Sequence, residues 1–203
     1  MSHAYQVVSS EEHFTGRVIS VRTDMVSMPD GEVSQRDVVV HPGATAVVAL
    51  DEAGAVLLVR QYRHPTGEYL WELPAGLLDV AGEPAWDSAR RELAEDGHLT
   101  AESWSTLLDL RTSPGMTDEA VRVYLARGLS EIPRDQRHEA EHEEVEMLRE
   151  WVPLDVAADR ALAGELHNAI CIAGLLAAVR ARSRGFAGLR PPDAGWPARP
   201  TLA

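Results

Sequence analysis

The stretch Gly76-Leu77-Leu78-Asp79-Val80-Ala81-Gly82-Glu83 is followed, after seven intervening residues, by Arg91-Glu92-Leu93-Ala94-Glu95-Asp96. The segment 84–96 is predicted to be a helix, because Pro84 suits the first turn of a helix and Gly97 stands close to its end. This charged helix and the glycine-containing segment before it are the most informative part of the sequence.

Three carboxylates lie together on one face of the predicted helix. At about 100° per residue, Glu92, Glu95 and Asp96 share that face. The opposite face offers a core stripe of three apolar residues, Ala85, Ala89 and Leu93. Crowded carboxylates repel one another unless a cation lies between them, and their hard oxygen atoms suit Mg²⁺ or Mn²⁺. The alternative is a solvated acidic face, which would explain a lone Glu-x-x-Glu better than it explains this cluster.

At these residues the chain resembles the Nudix family, whose signature is a Gly, a short loop, a Glu and then Arg-Glu-aliphatic-x-Glu-Glu-x-Gly-aliphatic. The matching residues, in order, are Gly76, Glu83, Arg91, Glu92, Leu93, Glu95 and Leu99. Three further motifs resemble the ADP-ribose pyrophosphatase branch: Gln61-Tyr62-Arg63, Leu70-Trp71-Glu72-Leu73-Pro74-Ala75-Gly76 and Pro114-Gly115. The resemblance extends from about Thr15 to Gly185, which is nearly the whole chain.

The resemblance implies a metal site held by Glu92, Asp96 and the carbonyl of Ala75, with Glu95 contributing to some metals. Gly76, Glu83 and Arg91 would be the structural residues of this signature. The chain departs from the pattern at Asp96, which replaces the usual Glu and is one methylene shorter, and at His98, which replaces the usual Gly. Gly97, one position earlier, is expected to end the helix instead. Mg²⁺ is the expected metal, with Mn²⁺ as the alternative.

Catalytic and substrate-binding residues are also implied by the resemblance. Glu92 is expected to be catalytic, and the base that orients the attacking water is expected on the acidic loop 138–146, with Glu144 preferred and Glu143 and Glu141 as contenders. The residues expected to bind substrate are Arg36 and Arg63, toward the diphosphate or adenine, and Glu72 and Glu119, toward the adenine or the distal ribose. Considered singly, the two arginines would more often be surface ion-pair partners.

The chain outside the signature mixes strands and helices without a regular βαβ alternation. Strands are predicted at 44–50, 55–61, 106–110, 121–125 and 151–154, and helices at 155–163 and 168–182. In the first forty residues, Arg17–Thr23, Asp24–Met28 and Gln35–His41 predict a small antiparallel sheet of two or three strands. The fold class is therefore α/β (α+β), and the resemblance implies a Nudix fold with a mixed β-sheet sandwiched between helices.

Three regions are predicted along the chain. Residues 1–42 form the N-terminal β-sheet region, which the resemblance places in a homodimer interface and which is too small to be stable alone. Residues 43–185 form the Nudix hydrolase domain. Residues 186–203 form a tail rich in Pro and Gly, expected to be extended or disordered.

Composition excludes several classes of function. Lys and Arg total 19 against 32 Asp and Glu, and a net charge of -13 argues against nucleic-acid binding. The longest apolar stretch, Ala169–Val179, is well short of the roughly 18 residues of a membrane span. The single cysteine, Cys171, excludes an intrachain disulfide framework and fits a reducing compartment. With no apolar leader in Met1–Glu12, a cytoplasmic protein without membrane contact is expected.

The resulting expectation is a metal-dependent homodimeric hydrolase that converts ADP-ribose to AMP and ribose 5-phosphate. A first alternative keeps the pyrophosphate chemistry and changes the substrate to another nucleotide sugar or dinucleotide. A second alternative is a degenerate Nudix domain that binds a nucleotide and regulates without turnover, for which Asp96 and His98 are the supporting residues.

Overall fold

An antiparallel sheet of three strands begins the chain in the computed structural model, which describes residues 4–138 and 145–197. Its strands, in the order β1-β2-β3, are β1 (Val7–Thr15), β2 (Ser20–Ser27) and β3 (Val33–Val40). The predicted small sheet is confirmed, but its strand assignment was partly wrong. The two runs 17–23 and 24–28 belong to the single strand β2, and the additional strand β1 comes from the polar segment before Gly16.

The centre of the molecule is a mixed four-stranded sheet with the order β7-β4-β9-β8. Its strands are β4 (Ala44–Ala49), β7 (Ala75–Leu77), β8 (Leu99–Arg111) and β9 (Ala120–Glu131). β4 runs parallel to β9, with Val47 opposite Tyr124, and the other two pairs are antiparallel. Because helices cover both faces of β4, every one of its residues is buried, which explains its unbroken apolar sequence.

A second antiparallel sheet stands beside the first in the order β10-β5-β6. It consists of β5 (Ala55–Arg63), β6 (Glu68–Glu72) and β10 (Leu148–Pro153). A turn at Asp51–Gly54 links β4 to β5, where the amide of Ala55 donates to the Asp51 carboxylate at 2.7 Å. The chain therefore passes from one sheet to the other through this turn.

Helices pack on opposite faces of the central sheet, as expected for the predicted fold. They are α1 (Ala85–Gly97), α2 (Leu154–Leu162) and α3 (Ala169–Arg182). α1 contributes Ala89 and Leu93 to a core with Val47 of β4. α3 contributes Cys171, Leu175 and Ala178 to a larger core on the other face, with Val48. Burial raises the pKa of the Cys171 thiol to about 12, so the thiol is protonated.

The end of α1 corrects one expectation. Gly97 does not end the helix but remains inside it, where a Cβ atom would lie 3.0 Å from Leu57 Cδ2. His98 takes the left-handed conformation instead, with φ 56° and ψ 36°, and its amide donates to the carbonyl of Ala94 at 3.2 Å. Gly97 is thus required for close packing on β5, and the residue that replaces the usual Gly still performs the capping itself.

The C-terminal strap, residues 190–196, lies along the central sheet. The carbonyls of Arg190 and Pro191 accept hydrogen bonds from the amide and hydroxyl of Thr106, both at 2.9 Å. Of the two forms expected for this Pro- and Gly-rich tail, its described part takes the extended and ordered one.

The strap surrounds a buried arginine of β9. Arg122, 2% exposed, donates to both carboxylate oxygens of Asp109, at 2.7 and 3.2 Å. It also donates to the carbonyls of Ala194 at 2.6 Å and Gly195 at 3.1 Å, and the Trp196 ring lies 4.8 Å from its guanidinium carbon. Full pairing of this kind allows a charge to be buried.

Among the helices that the structure describes, each is too short or too polar to cross a membrane.

Candidate functional site

β7 and α1 bring Gly76 and Glu92, the glycine and one glutamate of the signature, into contact. A Cβ atom built on Gly76 would lie 2.1 Å from the carboxylate carbon of Glu92, which is far inside van der Waals contact. Only a residue without a side chain therefore allows the Glu92 carboxylate to rest against this strand. The space beside Gly76 that receives the Glu92 carboxylate is called the cradle.

Glu92 is buried at 7% exposure, and burial raises the pKa of its carboxyl to about 7. The nearby carboxylates of Asp96 and Glu95 act in the same direction, and the charge of Arg91 opposes them. A carboxyl in this environment gains from any cation that approaches it. The carboxylate face that helical periodicity predicted therefore carries acidic groups that repel one another.

Arg91 organises the acidic groups around it. Its Nη1 donates to Glu92 at 2.6 Å and to Glu95 at 3.3 Å, while its Nε and Nη2 donate to both oxygens of Glu83 at 3.3 and 3.2 Å. The hydrogen bonds with Glu83 raise the pKa of Arg91 further above its ordinary value. The loop that ends at Glu83 is consequently tied to the carboxylate face of α1.

Asp96 reaches the strand despite its short side chain. It is 5% exposed, and its Oδ2 accepts a hydrogen bond from the amide of Ala75 at 3.1 Å. From β10, Arg149 donates through Nε to the main-chain carbonyl of Asp96. The predicted ligand set of Ala75, Glu92, Glu95 and Asp96 is therefore gathered where β7 meets α1.

These groups fit a hard divalent cation in their chemistry. All four offer oxygen atoms, and the buried Glu92 lies in a cradle that no side chain at position 76 fills. Within residues 4–138 and 145–197, no three acidic, imidazole or thiol groups already converge as a completed metal site. The carboxylates of Glu92 and Glu95 instead accept hydrogen bonds from Arg91.

A pocket of about 360 Å³ opens beside this cluster. Three of the four residues predicted to bind substrate line it, namely Arg63, Glu72 and Glu119, and so do Ala75 and Gly76. Arg63 and Glu72 form a two-pronged ion pair with N–O distances of 3.0 and 2.6 Å, in which Glu72 is 2% exposed. The ion pair holds the planar guanidinium group of Arg63 in place, so this residue offers a flat surface to the pocket.

Arg36 is the predicted substrate residue that does not join the others. It lies on the exposed strand β3 and donates to the Ser34 hydroxyl at 2.7 Å and to the carbonyl of Gln35 at 2.6 Å. It lines a different cleft of about 410 Å³, which it shares with Arg111 and the segment 114–118. Within one chain, therefore, Arg36 and Arg63 serve separate cavities.

Other pocket residues were not foreseen from the sequence. His41, Asn168 and Ile170 line the pocket, although the sequence indicated only a strand end for the first and the start of a buried helix for the others. The turn residues Pro42 and Gly43 directly after His41 were the available signal. The base candidates Glu144 and Glu143, and their contender Glu141, lie outside the described residues.

Comparison with known proteins places the chain in context. The NUDIX domain matches residues 40–170. ADP-ribose pyrophosphatase of Mycobacterium tuberculosis is 51% identical over 199 residues, which cover 98% of this chain and 94% of that protein. ADP-ribose pyrophosphatase of Bacillus subtilis is 36% identical over 164 residues, covering 81% and 86%. A crystal structure of an ADP compounds hydrolase superposes with a TM-score of 0.76 at 19% identity, covering 91% of this chain and 97% of that one, which shows the same fold.

Proposed function

The chain belongs to the Nudix family, and from this membership we propose that it hydrolyses the pyrophosphate of ADP-ribose to AMP and ribose 5-phosphate. One observation carries the proposal: the pocket that contains Arg63, Glu72 and Glu119 is continuous with Ala75 and Gly76, and so with the carboxylate face of α1. A nucleotide in the pocket would therefore extend its diphosphate toward the acidic cluster. Two relatives named ADP-ribose pyrophosphatase support this substrate.

The proposed metal is Mg²⁺ or Mn²⁺, held by Glu92, Glu95, Asp96 and the carbonyl of Ala75. When bound, such an ion lowers the pKa of a water molecule and neutralises charge on the phosphate oxygens. The protein contributes the oxygen donors and holds them in place. Asp96 is fixed by the amide of Ala75, and Glu92 by the cradle at Gly76.

The remaining residues have positioning roles in this proposal. Arg91 fixes Glu83 and Glu92 relative to each other, so the loop and the helix keep a constant separation. Arg63, held flat by Glu72, would stack on the base or contact a phosphate oxygen. Glu144, with Glu143 as the alternative, stays the predicted base that would orient the attacking water.

We also propose that the protein is a homodimer through residues 1–42. Every residue of β1 is exposed in the single chain, and an edge strand of this kind favours pairing. Large apolar side chains of this region are 44–65% exposed, namely Tyr5, Val7, Val8, Phe14, Val18 and Val33. Because Arg36 does not reach the pocket of its own chain, it would serve the pocket of the partner.

Mixed dimers test this arrangement. Arg36→Ala and Glu92→Gln chains should each be weakly active alone, and mixing them should restore activity if Arg36 acts across the interface, because one site of each mixed dimer is then intact. If mass spectrometry demonstrates that the subunits have exchanged and activity still does not recover, Arg36 acts within its own chain. The cytoplasmic location stays a prediction, and the single cysteine, Cys171, supports it because it fits a reducing compartment.

The proposed reaction is tested by release of AMP from ADP-ribose, with Mg²⁺ and Mn²⁺ in parallel and EDTA as control. Metal-dependent AMP formation that disappears in Glu92→Gln is the expected result. A panel of other nucleotide sugars and dinucleotides tests the first alternative substrate class. A folded protein that binds ADP-ribose without turnover in either metal would instead support the regulatory alternative, in which case Asp96→Glu should restore hydrolysis.

A further inference from the structure

His41 has no role in the reaction as proposed, yet it lines the pocket and its ring is held in a defined orientation. Its side chain is only 15% exposed. Its own amide donates to the Asp118 carboxylate at 2.9 Å, and its Nδ1 lies 3.0 Å from the amide nitrogen of Gly43. The turn at Gly43, with φ 86°, brings that amide back toward the ring.

The contact with Gly43 determines which ring nitrogen carries the proton. A main-chain amide can only donate, so Nδ1 must accept, and the neutral imidazole therefore carries its proton on Nε2. Glu119 Oε1 lies 3.6 Å from Nδ1, which is too far for a hydrogen bond and offers Nδ1 no proton. Within the described residues no acceptor is bonded to Nε2 of this pocket-lining side chain, so its N–H group can donate to a ligand.

Glu119 supplies the complementary group. Its Oε2 accepts the hydroxyl hydrogen of Thr112, and Oε1 retains acceptor capacity. His41 and Glu119 thus present an N–H donor and a carboxylate acceptor near each other on one wall of the pocket. A phosphate group would be repelled by the carboxylate, whereas two adjacent hydroxyl groups, one accepting and one donating, match this pair.

The adenine has a better surface elsewhere in the pocket. The β5–β6 hairpin contributes the planar guanidinium of Arg63 together with Pro65 and Leu70. Flat and apolar groups of this kind suit a purine ring. The wall formed by His41 and Glu119 is thereby left for the sugar.

We propose that His41 is a specificity-determining residue, whose Nε2–H donates to one hydroxyl of the distal ribose while the neighbouring hydroxyl donates to Glu119. This inference rests on the proposed function, since it concerns the ADP-ribose pocket. It adds a criterion for the sugar end of the substrate: a vicinal diol that can donate and accept at once.

The decisive variant is His41→Asn, because the Asn side-chain oxygen can still accept from the Gly43 amide while no group remains at the Nε2 position. KM for ADP-ribose should rise about tenfold, the effect of one lost hydrogen bond in a pocket, with kcat within about twofold. His41→Gln is the matched control, since its amide can supply a donor near the position of Nε2 and should recover most of the loss. Thermal melting of both variants verifies that they are folded.

Two substrate analogues locate the contact. An ADP-ribose whose distal ribose is 2,3-dideoxy loses the contacts with both His41 and Glu119 and should be roughly a hundredfold poorer substrate for the wild type, whereas His41→Asn should discriminate against it only about tenfold, through the contact with Glu119 that remains. IDP-ribose, in which hypoxanthine replaces adenine, should be discriminated equally by both proteins.

The inference is overturned if His41→Asn leaves KM unchanged, or if the variant loses discrimination against IDP-ribose instead of the dideoxy analogue. Failure of the proposed function has a different signature, namely a wild type that does not hydrolyse ADP-ribose in either metal. In that case calorimetric titration of ADP-ribose in EDTA still compares wild type and His41→Asn, and equal affinity overturns the role of His41.

Discussion

Deletion of the C-terminal strap should destabilise the protein mainly by uncovering one buried charge, and in addition by removing the two hydrogen bonds that Thr106 donates to Arg190 and Pro191. A chain ending at Leu189 loses Arg190, the two carbonyls that accept from Arg122, and the ring of Trp196 that covers it. Arg122 keeps only Asp109 in a position where its side chain is 3% exposed. The remaining guanidinium N–H groups would then face a space that water must enter.

The magnitude follows from these contacts. A hydrogen bond from a charged group contributes about 1.5–3 kcal/mol, and water entering the vacated space returns part of it. The two lost bonds and the lost ring contact at Arg122 therefore cost roughly 2–4 kcal/mol, and the two lost hydrogen bonds of Thr106 add about 1–2 kcal/mol. For a chain of this size, each kcal/mol lowers Tm by about 2–4 °C, so a decrease of about 6–24 °C is expected by differential scanning calorimetry.

Matched variants separate the buried charge from general loss of chain. Arg190→Ala removes an ion pair whose arginine is 44% exposed, and it should cost less than about 1 kcal/mol. In an Arg122→Met background the truncation should cost much less than in the wild type, because an apolar side chain requires no carbonyl partners. Equal losses in both backgrounds, or no loss at all, would refute the assignment of the strap to Arg122.

Three further predictions concern α1 and its cradle. The raised pKa of Glu92 stabilises the folded state below the ordinary value of 4.5, and this contribution is lost as pH rises through about 7. In EDTA the wild type should therefore lose about 2–3 kcal/mol relative to Glu92→Gln between pH 4.5 and 7.5 in urea titrations, and parallel profiles would contradict the shift. Gly76→Ala should displace the Glu92 carboxylate and reduce turnover about a hundredfold with little change in Tm; normal turnover would show that the cradle is not required. His98→Gly should relieve a left-handed residue and stabilise by about 1 kcal/mol, so an unchanged or lower Tm would show that the imidazole compensates for the strain.

The parts of the fold that the sequence predicted are those determined by local periodicity. β4 reads as an apolar run because both faces are covered, and α1 reads as a helix because its carboxylates and its core stripe repeat with the helical period. β1 gave no such signal, since all its residues are exposed and its pattern follows pairing with β2 alone. Hydrophobic periodicity reflects burial, so it cannot predict a strand whose residues are all exposed.

The same distinction applies to the site. Glu92, Glu95 and Asp96 could be predicted together because one helix face carries them, and the resemblance supplied Arg63, Glu72 and Glu119. His41 and Arg122 could not be predicted, because their roles depend on partners far along the chain, Asp118 for one and Ala194 for the other. Arg36 was predicted to join the same site, but it lines a different cleft of the chain.

The reactivity of the Cys171 thiol is a measure of how often the core around it opens. It is the only cysteine of the chain, it is fully buried between α3 and the central sheet, and its thiol is protonated because burial raises its pKa to about 12. A thiol reagent can therefore react only with molecules in which this core has opened. The labelling rate of the unmodified protein would report the free energy of opening around this one position of α3, without any engineered probe.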